Sequence, residues 1–290
     1  MLSKGSTATS AQCALVAAMS RQPSASNHGS IRNFMSIIEL QAKCVLLDIE
    51  GTISDIRFVY DVMFPFAKKN MDRFLVENWE STMVRDAVRT VANDAKMTTI
   101  EDWLGASWKS PSSDAVNTLS AHCQQMMASD SKATGLKLLQ GMVWQSGFES
   151  GELRAELFPD VLPALEQWKA NGLDLRIYSS GSVLAQRMFF KHTVLGDLSD
   201  LFSAHYDTTI GTKREVSSYE RIAIESQYDP IEIIFVTDVY AELTAANQSG
   251  MQVVASVRPN NIPLPAEFTG LAITSFSQLD LSSASRLSDT

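Results

Sequence analysis

Residues 44–48, Cys-Val-Leu-Leu-Asp, constrain this chain more than any other stretch. Four apolar residues run in succession, an acid ends them, and Gly51 follows within three positions. A strand with one wet face alternates apolar with polar residues, whereas a continuous apolar run needs cover on both faces, as inside a parallel sheet. Comparable runs recur at Leu173–Tyr178, Ile231–Val236 and Met251–Val254, with a weaker one at Leu271–Thr274. Helical stretches lie between them. One starts near Ser182 and carries Val183, Leu184 and Met188, and a second covers about Ser217–Gln227. A third, Ala-rich, covers about Ala241–Ser249 and stops at Gly250, since glycine readily takes the left-handed turn that ends a helix. Strand–helix alternation of this kind predicts an α/β fold with a doubly wound parallel sheet.

The alternation breaks after the first strand. Between Pro65 and Pro159 the one internal proline is Pro111, and no stretch reads as a strand. Helical spacing takes over: Met71, Phe74 and Leu75, then Leu136, Leu139 and Val143. Trp79, Trp103, Trp108 and Trp144 also fall here, enough apolar bulk for a small core. The expected organisation is a catalytic core from 41–64 and 156–280, a helical cap inserted over 65–155, a tail at 281–290 and an extension over 1–40.

That extension differs from the rest. Residues 1–38 hold eight serines, no Asp or Glu, and Lys4, Arg21 and Arg32 as their strong charges. Organelle-targeting peptides share this acid-poor, Ser-rich composition, but Arg is sparse here. A targeting peptide, a disordered extension and a start at Met19 or Met35 all stay open. The net charge of −9 argues against a general nucleic-acid binder, which needs positive charge to displace counterions. No apolar run reaches the ~20 residues of a membrane span. Cys13, Cys44 and Cys123 match no zinc or redox spacing, which fits a reduced protein of the cytoplasm or nucleus. Nothing marks an obligate interface, so a monomer is expected.

In an open parallel sheet, ligands bind beyond the carboxyl ends of the strands. Four polar groups sit at or near such ends: Asp48-Ile49-Glu50-Gly51-Thr52, Ser179-Ser180-Gly181-Ser182, Lys213, and Thr237-Asp238. Each alone also fits a plain turn or helix cap. Together they carry what phosphoryl transfer needs. A carboxylate can attack phosphorus, and an acid two positions on can protonate the leaving oxygen and later activate water. Hydroxyls and the amides of a helix end suit a phosphate, and a lysine supplies point charge. A second carboxylate can help hold the metal ion that offsets anionic repulsion. Glu242, four residues after Asp238, reads equally as a group reaching the site through water or as a surface acid. Arg214 and Arg258 read as solvated surface residues, and the four histidines take no role.

The order Asp-x-acid-Gly-Thr, Ser, Lys, Asp resembles the haloacid dehalogenase phosphotransferases over nearly all of residues 40–275. Leu47–Thr52, Tyr178–Ser182, Asp207–Lys213, Phe235–Val239, Leu139–Trp144 and Val257–Pro259 are similar to the enolase-phosphatases (acireductone synthases) of methionine salvage. Ser54 and Asp55 depart from the Thr and Pro that are usual there. The resemblance implies Asp48 as nucleophile, Glu50 as acid and base, and phosphate contacts from Ser179, Ser180 and Lys213. It also implies one Mg2+ per subunit on the Asp48 side chain, the Glu50 main chain and the Asp238 side chain. The implied substrate is 2,3-diketo-5-methylthiopentyl-1-phosphate, enolised and then dephosphorylated to 1,2-dihydroxy-3-keto-5-methylthiopentene. The rivals are a phosphatase for another small metabolite, a metal-free haloalkanoate dehalogenase, and an inactive binding protein that keeps the fold.

Overall fold

The computed structural model describes residues 37–283 apart from 98, 107, 109–112, 130 and 132. The readings for residues 1–36 and 284–290 lie outside the described residues. Six parallel strands form the main sheet. They are β2 (Cys44–Leu47), β3 (Asp174–Tyr178), β4 (Ala204–Tyr206), β5 (Ile233–Thr237), β6 (Gln252–Ser256) and β7 (Leu271–Ile273), in the spatial order β4-β3-β2-β5-β6-β7. The chain steps from β2 outward to β3 and β4, then returns to β5 on the other side of β2. The reversal puts the topological switch point between β2 and β5, where their carboxyl ends open a crevice.

The apolar runs of β2 and β5 are continuous because each of these strands is covered on both faces. Val45 and Leu47 of β2, with Ile234 and Val236 of β5, pack into one core with Leu165 and Trp168 of α6 (Val161–Ala170) and Phe189 and Phe190 of α7 (Val183–Lys191). Cys44, Leu46, Ile233 and Phe235 face the opposite way. They meet Tyr219 and Ile222 of α8 (Val216–Ser226) and Ala245 and Ala246 of α9 (Tyr240–Gln248). All four residues of β2 are fully buried.

Three strands escaped the sequence reading: β4 at the edge of the main sheet, and two more that pair with each other outside it. β1 (Ile38–Ala42) pairs in parallel with β8 (Leu279–Ser283), from Ile38 beside Leu279 to Ala42 beside Ser283. Residues 38–40 and 281–283, expected in the extension and the tail, are therefore ordered strand. Their burial alternates, with Leu279 and Leu281 buried between exposed neighbours, and so few residues of period two give a faint signal. Trp168 and Asn171 donate to the carbonyls of Leu279 and Leu281 at 3.4 and 2.8 Å, fastening this ribbon to the end of α6.

Between β2 and α6 lie a wide π-helical stretch, Phe58–Met63, and five helices: α1 (Phe64–Asn78), α2 (Thr82–Asp94), α3 (Ile100–Leu104), α4 (Ser113–Ala128) and α5 (Thr134–Ser150). Ala67, Met71, Phe74 and Leu75 form a stripe on α1 and bury against Val84, Val88 and Val91 of α2 and Leu136, Leu139 and Val143 of α5. Gly135 lets α5 approach α2 closely: a Cβ there would collide with the backbone of Val91. The two ends of the insertion are tied together, since Ser54 Oγ donates to the Glu156 carbonyl at 2.6 Å and Phe158 N to the Ile53 carbonyl at 2.9 Å. Among the described residues no helix is long and apolar enough to cross a membrane.

Candidate active site

Asp48 follows the last residue of β2, and its N–H donates to the Val236 carbonyl of β5 at 3.0 Å. This continues the pairing of Leu47 with Val236. Two positions further along β5's exit stands Asp238. The carboxylates expected to share an ion thus leave neighbouring strands at the switch point. After Asp48 the chain turns tightly: Ile53 N and Ser54 N both donate to the Ile49 carbonyl, and Gly51 adopts φ +75. A Cβ on Gly51 would stand 2.6 Å from Asp238 Oδ2, so glycine serves here both for its left-handed backbone and for the space it leaves the second aspartate.

Lys213 sits at the centre. Its Nζ lies 2.6 Å from Asp48 Oδ1 and 2.7 Å from Glu242 Oε2, with the side chain 7% exposed. The Lys213 loop is held from behind: Tyr219 OH donates to the Lys213 carbonyl at 2.6 Å and Tyr178 OH to the Gly211 carbonyl at 3.0 Å. The rings of Tyr178 and Phe235 flank the ammonium at 5.7 and 5.8 Å. Thr237 Oγ1 touches Asp48 Oδ2 at 3.1 Å and Glu242 Oε2 at 2.9 Å. Ser179, fully buried, donates to Glu50 Oε2 at 3.0 Å. Asp48 and Lys213 are therefore in direct contact, Glu50 and Ser179 form a second contacting pair, and Asp238 stands over Gly51.

Three expectations change. Glu242 is a buried member of the cluster, neither a surface acid nor a group that needs water to reach it, because the first turn of α9 points it back at Lys213. Arg258 is buried rather than solvated. It forms a two-pronged pair with Asp160 at 3.0 and 2.9 Å, donates to the Thr274 carbonyl, and lies between the rings of Phe158 and Phe276 at 4.5 and 5.0 Å. The start of α7, expected to meet a phosphate with free amides, is largely capped from within. Val183 N donates to Asp207 Oδ2, Ala185 N to Ser182 Oγ and Gly181 N to Ser179 Oγ. Ser180 is exposed at the rim of that turn, and Arg214 is exposed as expected. The departures at positions 54 and 55 are structural: Asp55 accepts from Arg57 N at 2.8 Å and Asn260 Nδ2 at 3.0 Å.

Four carboxylates crowd one ammonium. Burial, then the neighbouring Asp48 and Glu242, push Asp238 up to about 7. Burial and Asp48 push Glu242 up to about 7 against the pull of Lys213, and the same two causes raise Glu50. Such mutual destabilisation of anions is the condition a bound dication relieves. The donors are all hard oxygens, which suits Mg2+. Among the described residues no three His, Cys, Asp or Glu side chains converge as a metal cage. The expected set has only two side-chain ligands plus a main-chain carbonyl, and Mg2+ keeps several waters, so the residues present fit it.

Comparison with known proteins follows the same line. The family profile of haloacid dehalogenase-like hydrolases matches residues 42–250. The enolase-phosphatase E1 of Aquifex aeolicus (strain VF5) is 43% identical over 240 residues, spanning 82% of this chain and 99% of that protein. The probable bifunctional methylthioribulose-1-phosphate dehydratase/enolase-phosphatase E1 1 of Vitis vinifera is 41% identical over 247 residues. The chain spans 48% of that longer relative. Among solved structures, the UTR4 protein of Saccharomyces cerevisiae superposes with a TM-score of 0.66 at 27% identity, covering 82% of this chain and 99% of that one.

Proposed function

Because the chain belongs to the haloacid dehalogenase-like hydrolases, and among them to the enolase-phosphatases, we propose that it is the Mg2+-dependent enolase-phosphatase of methionine salvage. Its substrate in this reading is 2,3-diketo-5-methylthiopentyl-1-phosphate, enolised and then hydrolysed to 1,2-dihydroxy-3-keto-5-methylthiopentene and phosphate. The observation that carries the reading is the Lys213 ammonium bridging Asp48 and Glu242 at the switch point, with Glu50 tethered to the phosphate-loop serine Ser179.

Asp48 attacks phosphorus, the bond from phosphorus to the ester oxygen breaks, and the departing oxygen takes its proton from Glu50. Burial and Asp48 raise Glu50, which keeps a proton available for that transfer. Glu50 then takes a proton from water, which attacks the aspartyl-phosphate, freeing Asp48 and inorganic phosphate. Lys213 holds the Asp48 carboxylate and meets the phosphoryl oxygens, together with Ser179 and Ser180. The side chains of Asp48 and Asp238 and the carbonyl of Glu50 would hold one Mg2+, which supplies charge neutralisation and polarises the diketone. The preceding enolisation, removal of a proton next to a carbonyl, is assigned to Glu50 or to a group from the helical insertion. The helical insertion acts as a cap that excludes water while the intermediate exists. The same reading takes the protein as a monomer of the cytoplasm or nucleus.

Replacing Asp48 by Asn tests the assignment, with enol absorbance and phosphate release followed separately, with and without Mg2+. Phosphate release is expected to vanish while the fold survives. Undiminished release from the variant, or full activity of the wild type in chelator, overturns the reading.

A further inference from the structure

The loop after β6 carries a side chain whose place is not explained by packing. Asn261 donates through Nδ2 to the Gly51 carbonyl at 2.9 Å and to the Ser256 carbonyl at 3.2 Å. With both amide hydrogens committed to acceptors, the orientation of the amide is settled, and Oδ1 must point the other way. That oxygen is buried and has no hydrogen-bond partner among the described residues. A buried acceptor left without a donor costs about 1–3 kcal/mol.

Where Oδ1 points is set by Gly51. The position a Cβ on Gly51 would take lies 2.8 Å from Asn261 Oδ1 and 2.6 Å from Asp238 Oδ2. Two acceptor oxygens from different strand ends therefore close on the same side of Gly51, with no donor joining them. The loop is braced to hold this arrangement. Arg258 Nε donates to the Thr52 carbonyl at 3.3 Å, Asn260 Nδ2 donates to Asp55 Oδ2 at 3.0 Å, and Asn261 N donates to the Arg258 carbonyl at 3.3 Å. A braced, unsatisfied acceptor beside a carboxylate is matched by a donor that also tolerates the carboxylate. Water bound to a divalent cation fits, because its hydrogens point outward and are made more acidic by the ion.

The geometry points to Asn261 as an outer-shell positioning residue of the cation site, its Oδ1 accepting a hydrogen bond from a water coordinated to the ion beside Asp238. This rests on the reading that Asp48 and Asp238 hold Mg2+. Outer-shell partners of this kind are worth about 10–100-fold in metal affinity. Asn261→Leu removes the acceptor at similar size, and Asn261→Asp keeps an oxygen there while losing the amide hydrogens.

The test is calorimetric titration of the intact protein with MgCl2, supported by counting free Mn2+ by electron paramagnetic resonance and by melting curves without metal. Asn261→Leu is expected to weaken the Mg2+ dissociation constant about 10-fold or more, and Asn261→Asp to bind as tightly as wild type or tighter. An Asn261→Leu protein that folds and binds within about twofold of wild type overturns the inference. So does an Asn261→Asp protein as weak as the Leu variant, since the amide hydrogens would then be what matters. Should the Leu variant fail to fold, the Asp result alone decides. A wild type that binds no Mg2+ overturns the active-site reading and the inference built on it. A wild type that binds, with variants that bind alike, sinks the Asn261 inference only.

Discussion

Replacing Lys213 by Met removes one buried positive charge and keeps an apolar side chain of similar length. In the native protein that charge lies 2.6 Å from Asp48 and 2.7 Å from Glu242. At an effective dielectric of ~20 each contact is an attraction of about 6 kcal/mol, most of it offset by the desolvation of the ions. Removing one partner does not recover that desolvation. Two carboxylates remain, both touching Thr237 Oγ1, whose single hydrogen serves one at a time. Breaking a buried pair in this way costs about 3–5 kcal/mol.

The cost depends on pH with a definite sign. Glu242 already titrates near 7 with the lysine present, and without it the carboxyl holds its proton to still higher pH. A carboxyl raised in the native state binds more protons there than in the unfolded chain, so stability falls as pH rises through the folded value. The variant's deficit therefore widens from about pH 7 upward. Urea unfolding of the metal-free proteins is expected to show a deficit of about 3–5 kcal/mol at pH 8.5 and about half that at pH 5.5. A deficit equal at both pH values, or larger in acid, would refute the claim that Lys213 neutralises this pair.

Two further outcomes follow from other parts of the molecule. Gly51→Ala forces a side chain into φ +75 and into contact with Asp238 Oδ2, so the metal-free protein should lose about 1–2 kcal/mol and Mg2+ binding should weaken together. An unchanged melt and an unchanged titration would show that Asp238 does not depend on that space. His205 is held down to about 4, first by burial and then by Arg187. Its Nδ1 lies 3.2 Å from Gln186 Oε1, the acceptor end of an amide whose nitrogen serves Gly181 and Tyr206. The unfolded chain takes up this proton first, so His205 lowers the stability of the fold as pH falls from about 6.5 to about 4. His205→Asn should remove that part of the acid slope in pH-dependent unfolding, and an unaltered slope would contradict it.

How much of the fold is legible in the sequence depends on how completely each element is covered. β2 and β5 announce themselves because cover on two faces demands runs such as Cys44–Leu47 and Ile233–Thr237. The helices α7, α8 and α9 fall within a residue or two of their expected starts, since Ser182 and Gly250 are local signals for a cap and a stop. β4, three residues long at the sheet's edge, and the β1–β8 ribbon carry almost no pattern of their own. Their pairing spans nearly the whole described chain, and nothing within five residues predicts a partner that distant.

The site divides along the same line. Asp48, Ser179 and Asp238 were legible because each ends or follows an apolar run, and the sheet's topology alone then brings them to one rim. Glu242 carried half a signal: four residues after Asp238 places it one turn into α9, but whether that turn faces the crevice depends on how α9 lies on the sheet. Thr237 stood out only with Asp238, as a polar group at the end of the Ile231–Val236 run, and nothing marked its hydroxyl as the link between two acids. Asn261 had no signal at all, because its role comes from a loop braced by Arg258 and Asp55, residues whose partners lie up to about 200 positions away. Charge follows the same rule. The acids near the strand ends can be counted in the sequence, but that they outnumber the cations within reach is a property of burial, which seals Lys213 among them and leaves Arg214 in water. That local excess of negative charge gives a chemical reason for a dication at this rim, and it exists only once the fold has closed.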